Sequence, residues 1–189
     1  MEKYRLYSDL HWGQASSILE NIDPHNNDVF LGDIFDIKNT AKKDIPSQLA
    51  QQNVFRRRCY LIGAFYIIGN HDLIKDPYNT TQLNIKRGNV LFTHGHLICW
   101  DEAKVQEWAN KKPDGVGFFR RITLAVQQFV PRGIWKPSDI EIKRAIQLAK
   151  SYGCDTIVFG HTHTDKVVDF TIENIRIVNV PRGKTEIEL

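Results

Sequence analysis

The stretch VFGHTHTD, residues 158–165, places two histidines directly after a short apolar run. Residues 156–159 are the β-branched and aromatic residues typical of a buried strand. Gly160 lets the backbone turn after that strand, and an extended His-x-His would point the rings of His161 and His163 the same way. Two adjacent imidazoles serve either a metal ion or a polar surface, so the rest of the chain has to decide between these two roles.

Composition and charge describe an ordinary globular domain. The chain has 189 residues, 42% hydrophobic and 25% charged, and 25 basic against 22 acidic residues give a net charge of +3. This length suits a single domain over residues 1–189, with a core that needs neither disulfides nor structural metals. The charge is far from the basic stripe of a dedicated nucleic-acid binder, but it is compatible with an anionic substrate at a local site.

The cysteines and the N-terminal residues predict a cytoplasmic protein. Three cysteines are scattered along the chain without a C-x-x-C motif, as expected for reduced thiols. The first residues carry charge followed by a short strand pattern, which is not the pattern of a signal peptide. No apolar run approaches the roughly 20 residues that span a bilayer, so we expect no transmembrane segment. Nothing in the sequence indicates an oligomeric state.

Four further short apolar runs end in polar clusters in the same way. The runs are residues 4–7, 29–31, 65–68 and 90–92, and the clusters are residues 8–11, 32–36, 69–72 and 93–96. Helices are predicted over residues 46–59, 117–130 and 138–152, and late strands over residues 167–171, 175–180 and 185–189. This order predicts an α/β sandwich whose polar clusters gather at the carboxyl ends of strands.

Helix ends are also visible in the pattern. Ser138 and Glu141 form a capping box at the start of the third predicted helix, and Gly153 is its stop. In the first predicted helix, the basic residues 56–58 lie near the end, where cations suit the helix dipole.

Histidines and carboxylates concentrate in these clusters. Six of the seven histidines lie there, beside four aspartates and an asparagine. Burying so many polar groups without a ligand would be costly. Imidazole, carboxylate and amide donors without cysteine suit Mn²⁺, Fe²⁺, Zn²⁺ or Mg²⁺, of which we expect Mn²⁺ first. About seven or eight donors are too many for one ion and predict two divalent ions that share a carboxylate.

The motifs D-x-H, GDxxD, GNHD, HGH and GHTH, in this order, resemble those of the calcineurin-like metallophosphoesterases. The match runs from Asp9 to His163. The resemblance implies an αββα fold, in which a two-sheet sandwich is flanked by helices. It also implies a helical insertion before the last metal motif, at about residues 97–155. That insertion is similar in layout to the one in UDP-diacylglucosamine pyrophosphohydrolases, although those enzymes typically have arginine where this chain has His71.

Seven residues match the ligands of the family's dinuclear metal centre. The first ion would be held by Asp9, His11, Asp33 and His163, and the second by the bridging Asp33 with Asn70, His94 and His161. The implied reaction is in-line attack of a metal-bound hydroxide at phosphorus.

Four other residues of the motifs receive expected roles from the resemblance. His71 would stabilise the phosphoryl charge or protonate the leaving oxygen, and Asp72 would orient its ring. Asp36 and His96 would lie in the second shell or face the substrate, and a purely structural role is equally expected for both.

The segment between HGH and GHTH carries a hypothesis about substrate binding. Its bulky and basic residues would form a wall over the metals, and they are Trp108, Phe118, Phe119, Arg120, Arg121, Arg132 and Trp135. The alternative is an amphipathic helix that packs Phe118, Ile122 and Phe129 into the core and leaves its arginines in solvent. We favour the second interpretation because the apolar residues follow helical spacing.

The predicted function is hydrolysis of a small phosphomonoester, phosphodiester or nucleotide pyrophosphate. GDIFDIK and GNHD differ from the GDxxDRG and GNHE of phosphoprotein phosphatases and so disfavour a protein substrate. The alternatives are a nucleic-acid nuclease, for which the chain leaves little room for a DNA-binding cap, and a non-catalytic scaffold like the retromer subunit. The complete ligand set favours an enzyme. NVPRG, residues 179–183, replaces the Asn-Pro-Gly-Ser turn of many small members, so no substrate contact carries over there.

Overall fold

Two mixed β-sheets form the middle of this computed structural model, which describes residues 2–11, 22–72, 83–110 and 133–189. The strands are β1 Lys3–Ser8, β2 Asp28–Phe30, β3 Phe65–Tyr66, β4 Asn84–Arg87, β5 Val90–Thr93, β6 Thr156–Phe159, β7 Val168–Ile172, β8 Ile175–Asn179 and β9 Gly183–Glu188. The α-helices are α1 Ile45–Ile62, α2 His96–Cys99, α3 Glu102–Asn110 and α4 Asp139–Ser151. Two 3₁₀ turns, Ile37–Asn39 and Lys42–Asp44, precede α1.

The order of the strands brings the polar clusters to one edge. The first sheet has the order β3-β2-β1-β9, in which β1, β2 and β3 are parallel and β9 is antiparallel. The second sheet has the order β4-β5-β6-β8-β7, with β5, β6 and β8 parallel and the edge strands antiparallel. Parallel strands end at the same edge of their sheet, so the loops after β1, β2 and β3, and those after β5 and β6, lie together.

Three apolar clusters define four layers. Leu6 and Val29 of the first sheet pack against Phe92 and Val158 of the second. A second cluster joins the first sheet to α1, and a third joins the second sheet to α4. The predicted two-sheet sandwich flanked by helices is therefore confirmed. The last part of the expected insertion, α4, belongs to the outer helical layer of the sandwich itself.

Helix ends and edge strands differ in part from the predictions. The capping box of Ser138 and Glu141 is formed. α1 continues to Ile62, and the following Gly63 adopts a left-handed φ of 76°. The basic residues 56–58 were predicted near the end of the helix but lie before its last turn. β4 was not predicted, because Asn84, Lys86 and Arg87 make this edge strand mostly polar. The helix predicted over residues 117–130 lies outside the described residues.

Membrane insertion receives no support from the described helices, since none of them is both long enough and apolar enough to span a bilayer.

Candidate metal centre

Seven candidate ligands follow the strands whose ends meet at one edge. They are Asp9 and His11 after β1, Asp33 after β2, Asn70 after β3, His94 after β5, and His161 and His163 after β6. Backbone hydrogen bonds join these loops across the edge. His11 N donates to Asp33 O at 2.8 Å, and Gly160 N donates to His94 O at 3.1 Å. His161 N donates to Asp9 Oδ2 at 2.8 Å and links the loops of the two sheets, so the candidate ligands lie on one hydrogen-bonded platform.

The backbone of this platform is unusual. Five of the seven candidate ligands adopt a left-handed conformation, with φ between 50° and 66°, and they are Asp9, His11, Asp33, His161 and His163. Such angles are uncommon for residues other than glycine. They cost of order 1–3 kcal/mol each and persist where the surroundings over-determine them, often at functional sites.

The GHTH loop reaches its geometry in a different way from the predicted one. β6 ends at Phe159 and both histidines are left-handed, so the His-x-His segment is not extended and the prediction of an extended pair is wrong. Gly160 does not supply a positive φ either. Instead it supplies space, because a Cβ there would lie 1.7 Å from Ser8 Oγ and 2.7 Å from Asp9 Oδ2.

The first cluster joins Asp9, His11, Asp33 and His163. His163 Nε2 lies 3.2 Å from Asp9 Oδ1 and 3.0 Å from His11 Nε2. His11 Nε2 is in turn 3.8 Å from Asp33 Oδ2. Asp9, His11 and His163 therefore form one possible metal-holding group, and Asp33 approaches this group through His11.

The second cluster is centred on His94. Its Nε2 lies 3.4 Å from Asp33 Oδ2, 3.0 Å from Asn70 Oδ1 and 3.1 Å from His161 Nδ1. Asp33 Oδ2 thus belongs to both clusters. All seven predicted ligands lie close together, but the possible metal-holding groups do not follow the predicted division. Asp9 joins Asp33, His94 and His161 in one group, and His71 joins His11 and Asp33 in another.

The donor atoms fit divalent cations. Nitrogen and oxygen ligands bound to one ion at about 2.1 Å lie roughly 3.0–3.4 Å apart, which is close to most of the separations in both clusters. Asp9 gives a second indication. Its Oδ2 accepts hydrogen bonds from Ser8 Oγ and His161 N, whereas its buried Oδ1 has no hydrogen-bond partner among the described residues. A cation bound beside His11 and His163 would contact that oxygen and compensate for the missing hydrogen bond.

The electrostatics favour ionised carboxylates. Burial alone would raise the pKa of Asp33, but the neighbouring His94, His71 and His11 outweigh it and hold the pKa well below its usual value. The pKa of Asp9 is lowered in the same way, against the effect of burial, by His163 and His94. Carboxylates in this state are the form that binds metal ions.

The two histidines of the second cluster differ in protonation. Burial, helped by the charge of His94, lowers the pKa of His161 well below its usual value, so this ring is neutral. Burial also opposes the charge on His94, but Asp33 and Asp9 raise the pKa of His94 to about 9. Ion binding at His94 therefore has to displace a proton.

His71 lies on the more open side of the clusters. Its side chain is 18% exposed, and its Nδ1 lies 2.6 Å from Asp36 Oδ1 and 3.1 Å from Asn39 Nδ2. Its backbone N–H donates to Asp33 Oδ1 at 2.6 Å. Asp36 therefore holds the ring of His71. The same Oδ1 atom of Asp36 also lies 3.8 Å from His11 Nδ1.

Asp72 does not orient the ring of His71, contrary to the expectation from the resemblance. Its carboxylate turns inward and accepts five hydrogen bonds, from the backbone N–H groups of Asp33, Gly69 and Phe35 and from the side chains of Gln52 and Tyr66. Burial, followed by the charge of Asp33, raises the pKa of Asp72 to about 6. This residue ties the loop after β2 to the loop after β3.

His96 packs into an aromatic group beside the second cluster. It is fully buried, and neither ring nitrogen has a hydrogen-bond partner in the part of the chain that the structure describes. Burial and the charge of His94 lower its pKa to about 3. The ring centroid of Trp108 is 4.6 Å away and that of Trp100 is 5.7 Å away.

The two tryptophans also contact the candidate ligands. Trp108 Nε1 donates to Asn70 O at 2.9 Å, and the Trp100 ring lies edge-on to His161 with centroids 5.3 Å apart. Trp100 was missed by the sequence reasoning. Its spacing of four residues from His96, at the end of the HGH motif, was the available signal.

Two of the residues expected to form a wall over the metals, Trp108 and Trp135, are among the described residues. Trp108 lies beside the second cluster, whereas Trp135 packs on Phe159 and Phe170 at the outer face of the second sheet. Its predicted place over the metals is therefore wrong, because β6 and β7 offer it an apolar surface. The remaining wall residues Phe118, Phe119, Arg120, Arg121 and Arg132 lie outside the described residues.

Three solved structures are similar to this chain. A cold-active protein tyrosine phosphatase, solved at 1.1 Å, is 18% identical, with 100% of this chain and 74% of that chain covered and a TM-score of 0.50. Another structure of a cold-active protein tyrosine phosphatase, from a psychrophilic Shewanella species, is 18% identical, with 100% and 76% covered and a TM-score of 0.49. A predicted phosphoesterase from Streptococcus pneumoniae TIGR4 is 15% identical, with 100% and 85% covered and a TM-score of 0.41. At these identities the likeness concerns the fold alone.

Sequence comparison identifies the family. No curated protein matches the chain. The family model described as calcineurin-like phosphoesterase matches residues 4–165, which contain all five motifs and every candidate ligand. The chain therefore belongs to the calcineurin-like phosphoesterase family and is a metallophosphoesterase.

Proposed function

We propose that the protein hydrolyses a small phosphorylated molecule at a dinuclear metal centre. The observation that carries this proposal is the position of Asp33 Oδ2, which lies 3.8 Å from His11 Nε2 in one cluster and 3.4 Å from His94 Nε2 in the other. A carboxylate shared by two ligand sets is the arrangement of two-metal phosphoesterases. The substrate would be a phosphomonoester, a phosphodiester or a nucleotide pyrophosphate.

The two ions would be held by the two clusters. Asp9, His11, Asp33 and His163 would bind the first ion, and Asp33, Asn70, His94 and His161 the second. These sets overlap the possible metal-holding groups, which are Asp9 with His11 and His163, Asp9 with Asp33, His94 and His161, and His11 with Asp33 and His71. This donor set suits Mn²⁺ first, with Fe²⁺, Zn²⁺ and Mg²⁺ as alternatives. When bound, the ions would supply an activated water and positive charge for the phosphoryl oxygens.

The surrounding residues would fix the ligands before an ion binds. His94 Nδ1 lies 2.7 Å from Leu31 O, and donation to this carbonyl would leave Nε2 for the ion. Asp72 holds the backbone N–H of Asp33 at 2.9 Å, and His161 N donates to Asp9 Oδ2 at 2.8 Å. Such outer partners set ligand orientation and tautomer.

His71 would contact the substrate directly. Its Nδ1 faces Asp36, which would leave Nε2 to stabilise the phosphoryl charge or to protonate the leaving oxygen. The substrate would approach from the side of His71 and His163, whose side chains are 18% and 17% exposed, whereas Asp33 is 1% exposed and His94 fully buried.

A cytoplasmic location is part of the same proposal. All three cysteines are unpaired, and burial raises the pKa of the Cys59 thiol to about 12. Unpaired thiols suit a reducing compartment.

Hydrolysis by metal-stripped protein tests the proposed function. p-Nitrophenyl phosphate and bis-p-nitrophenyl phosphate would be compared, each with and without added Mn²⁺. We expect turnover only with the ion, and the ratio of the two rates assigns a monoesterase or a diesterase. No hydrolysis of either ester or of a nucleotide pyrophosphate, with any of the four ions, would contradict the proposal.

A further inference from the structure

The segment joining β8 to β9 runs along the candidate metal centre and is anchored to it at both ends. At its start, Asn179 Nδ2 donates to Gly160 O at 2.9 Å, and Asn179 Oδ1 accepts from Thr162 Oγ1 at 2.7 Å. These contacts tie the segment to the GHTH loop, which carries His161 and His163.

At the other end, Arg182 reaches the loop after β1. Its Nη2 donates to Leu10 O at 3.3 Å in a partly buried contact. Leu10 separates Asp9 from His11, both in the first cluster. Gly183, the next residue after Arg182, pairs with Ser8 at the end of β1. The guanidinium is therefore held beside the loop that carries two ligands of the first cluster.

The backbone of this segment is constrained on both sides of Arg182. Pro181 fixes its own φ. Gly183 has a φ of 103°, which strains residues with a side chain. The backbone position of Arg182 is thus set by its two neighbours, and the hydrogen bond to Leu10 O holds the guanidinium.

We propose that Arg182 binds a phosphoryl oxygen of the substrate at the edge of the first cluster, an inference that rests on the proposed function. Arginine is permanently charged and carries five N–H donors in a planar fork that matches phosphate geometry, so it can hold Leu10 and contact a phosphoryl oxygen together. The Asn-Pro-Gly-Ser turn of many small family members has no such cation, so this contact would be specific to the NVPRG segment.

Arg182 variants test this inference with a binding readout that is independent of turnover. Inorganic phosphate would be titrated calorimetrically into Mn²⁺-loaded wild-type, Arg182→Ala, Arg182→Lys and Lys184→Ala proteins. Bound manganese, KM and kcat for the better of the two nitrophenyl esters would be measured alongside. Lys184 is the matched control, because it is a basic residue two positions away that pairs with Glu186 and lies outside the site.

The expected result is a selective loss of phosphate affinity. Arg182→Ala should weaken phosphate binding and raise KM by about 10- to 100-fold, the range for a hydrogen bond to a charged group. Arg182→Lys should fall between this variant and the wild type, because it keeps the charge but not the fork. Lys184→Ala should match the wild type, and all variants should keep the same number of bound ions.

Three results would overturn the inference. One is unchanged phosphate affinity in Arg182→Ala. Another is a loss of manganese affinity with normal phosphate affinity at saturating Mn²⁺, which would mean that Arg182 only supports Leu10. The third is wild-type protein that binds no phosphate. A wild type that binds phosphate but hydrolyses no ester would contradict the proposed function, while the comparison of phosphate affinities would still decide the role of Arg182.

Discussion

Two buried aspartates of this protein, Asp72 and Asp9, have opposite surroundings. Asp72 accepts five hydrogen bonds, three of them from backbone N–H groups. Asp9 directs Oδ2 to Ser8 and His161, but no described residue donates to its Oδ1. Both side chains are almost completely buried, so burial alone does not separate their roles.

A carboxylate whose two oxygens both accept hydrogen bonds, such as Asp72, holds loops together. A carboxylate with one oxygen that accepts none, such as Asp9, remains available to a ligand. Asp33 combines both situations. Its N–H is held by Asp72, its Oδ1 accepts from His71 N, and its Oδ2 faces the ring nitrogens of both clusters. One aspartate thus positions the aspartate that would bridge the ions.

The largest effect is expected for Asp33→Asn. The amide has a neutral oxygen in place of the shared carboxylate, so both ions should bind weakly and turnover should fall to background. Bound manganese and hydrolysis by metal-loaded protein measure this directly. Asp28→Asn is the matched control, because Asp28 is also fully buried in the first sheet but pairs with Arg5 away from the clusters.

That control should lose stability and keep its ions, because it breaks an ion pair whose carboxylate is buried. Two bound ions and full activity in Asp33→Asn would mean that Asp33 does not bridge the ions. Asp72 would then not position a bridging ligand.

A smaller effect is expected for His71→Ala. This variant should retain its ions and lose turnover by about 10²- to 10⁴-fold, the range for a group that transfers a proton. The loss should be greater with phenyl phosphate than with p-nitrophenyl phosphate, because the poorer leaving group needs the proton more. An equal loss for both esters would argue against protonation of the leaving oxygen and leave stabilisation of the phosphoryl charge as the role of His71.

The smallest effect on chemistry is expected for Asp72→Asn. An amide NH₂ in place of Oδ2 would face the backbone N–H groups of Asp33 and Gly69, and these unsatisfied buried donors should lower the free energy of unfolding by about 3 kcal/mol. Metal affinity should fall by roughly 10- to 100-fold, the range for an outer partner of a ligand. Denaturant unfolding and manganese titration measure the two quantities. Wild-type stability together with a loss of turnover as large as in His71→Ala would contradict the structural role of Asp72.

Much of the fold and of the candidate site could be predicted because their signals are local. Apolar runs that end in Asp, Asn and His mark β1, β2, β3, β5 and β6, and parallel strands bring their ends together. The capping box of Ser138 and Glu141 needs only two residues three positions apart. The resemblance supplied the grouping of the seven ligands, and the structure brings the same residues together.

The errors concern side-chain directions and contacts distant in sequence. The inward turn of Asp72 depends on donors from two loops, α1 and β3, which no local pattern specifies. Gly160 matters because Ser8, 152 residues away in the chain, packs against it. Trp135 faces Phe159 and Phe170 only because the second sheet presents both rings on one surface.

The most direct test of the dinuclear centre is the number of ions bound per chain. Mn²⁺ would be titrated into metal-stripped protein by calorimetry, and the bound metal would be counted by elemental analysis. A dinuclear centre bridged by Asp33 requires two ions per wild-type chain and the loss of both in Asp33→Asn. One ion per wild-type chain, or none, would contradict it.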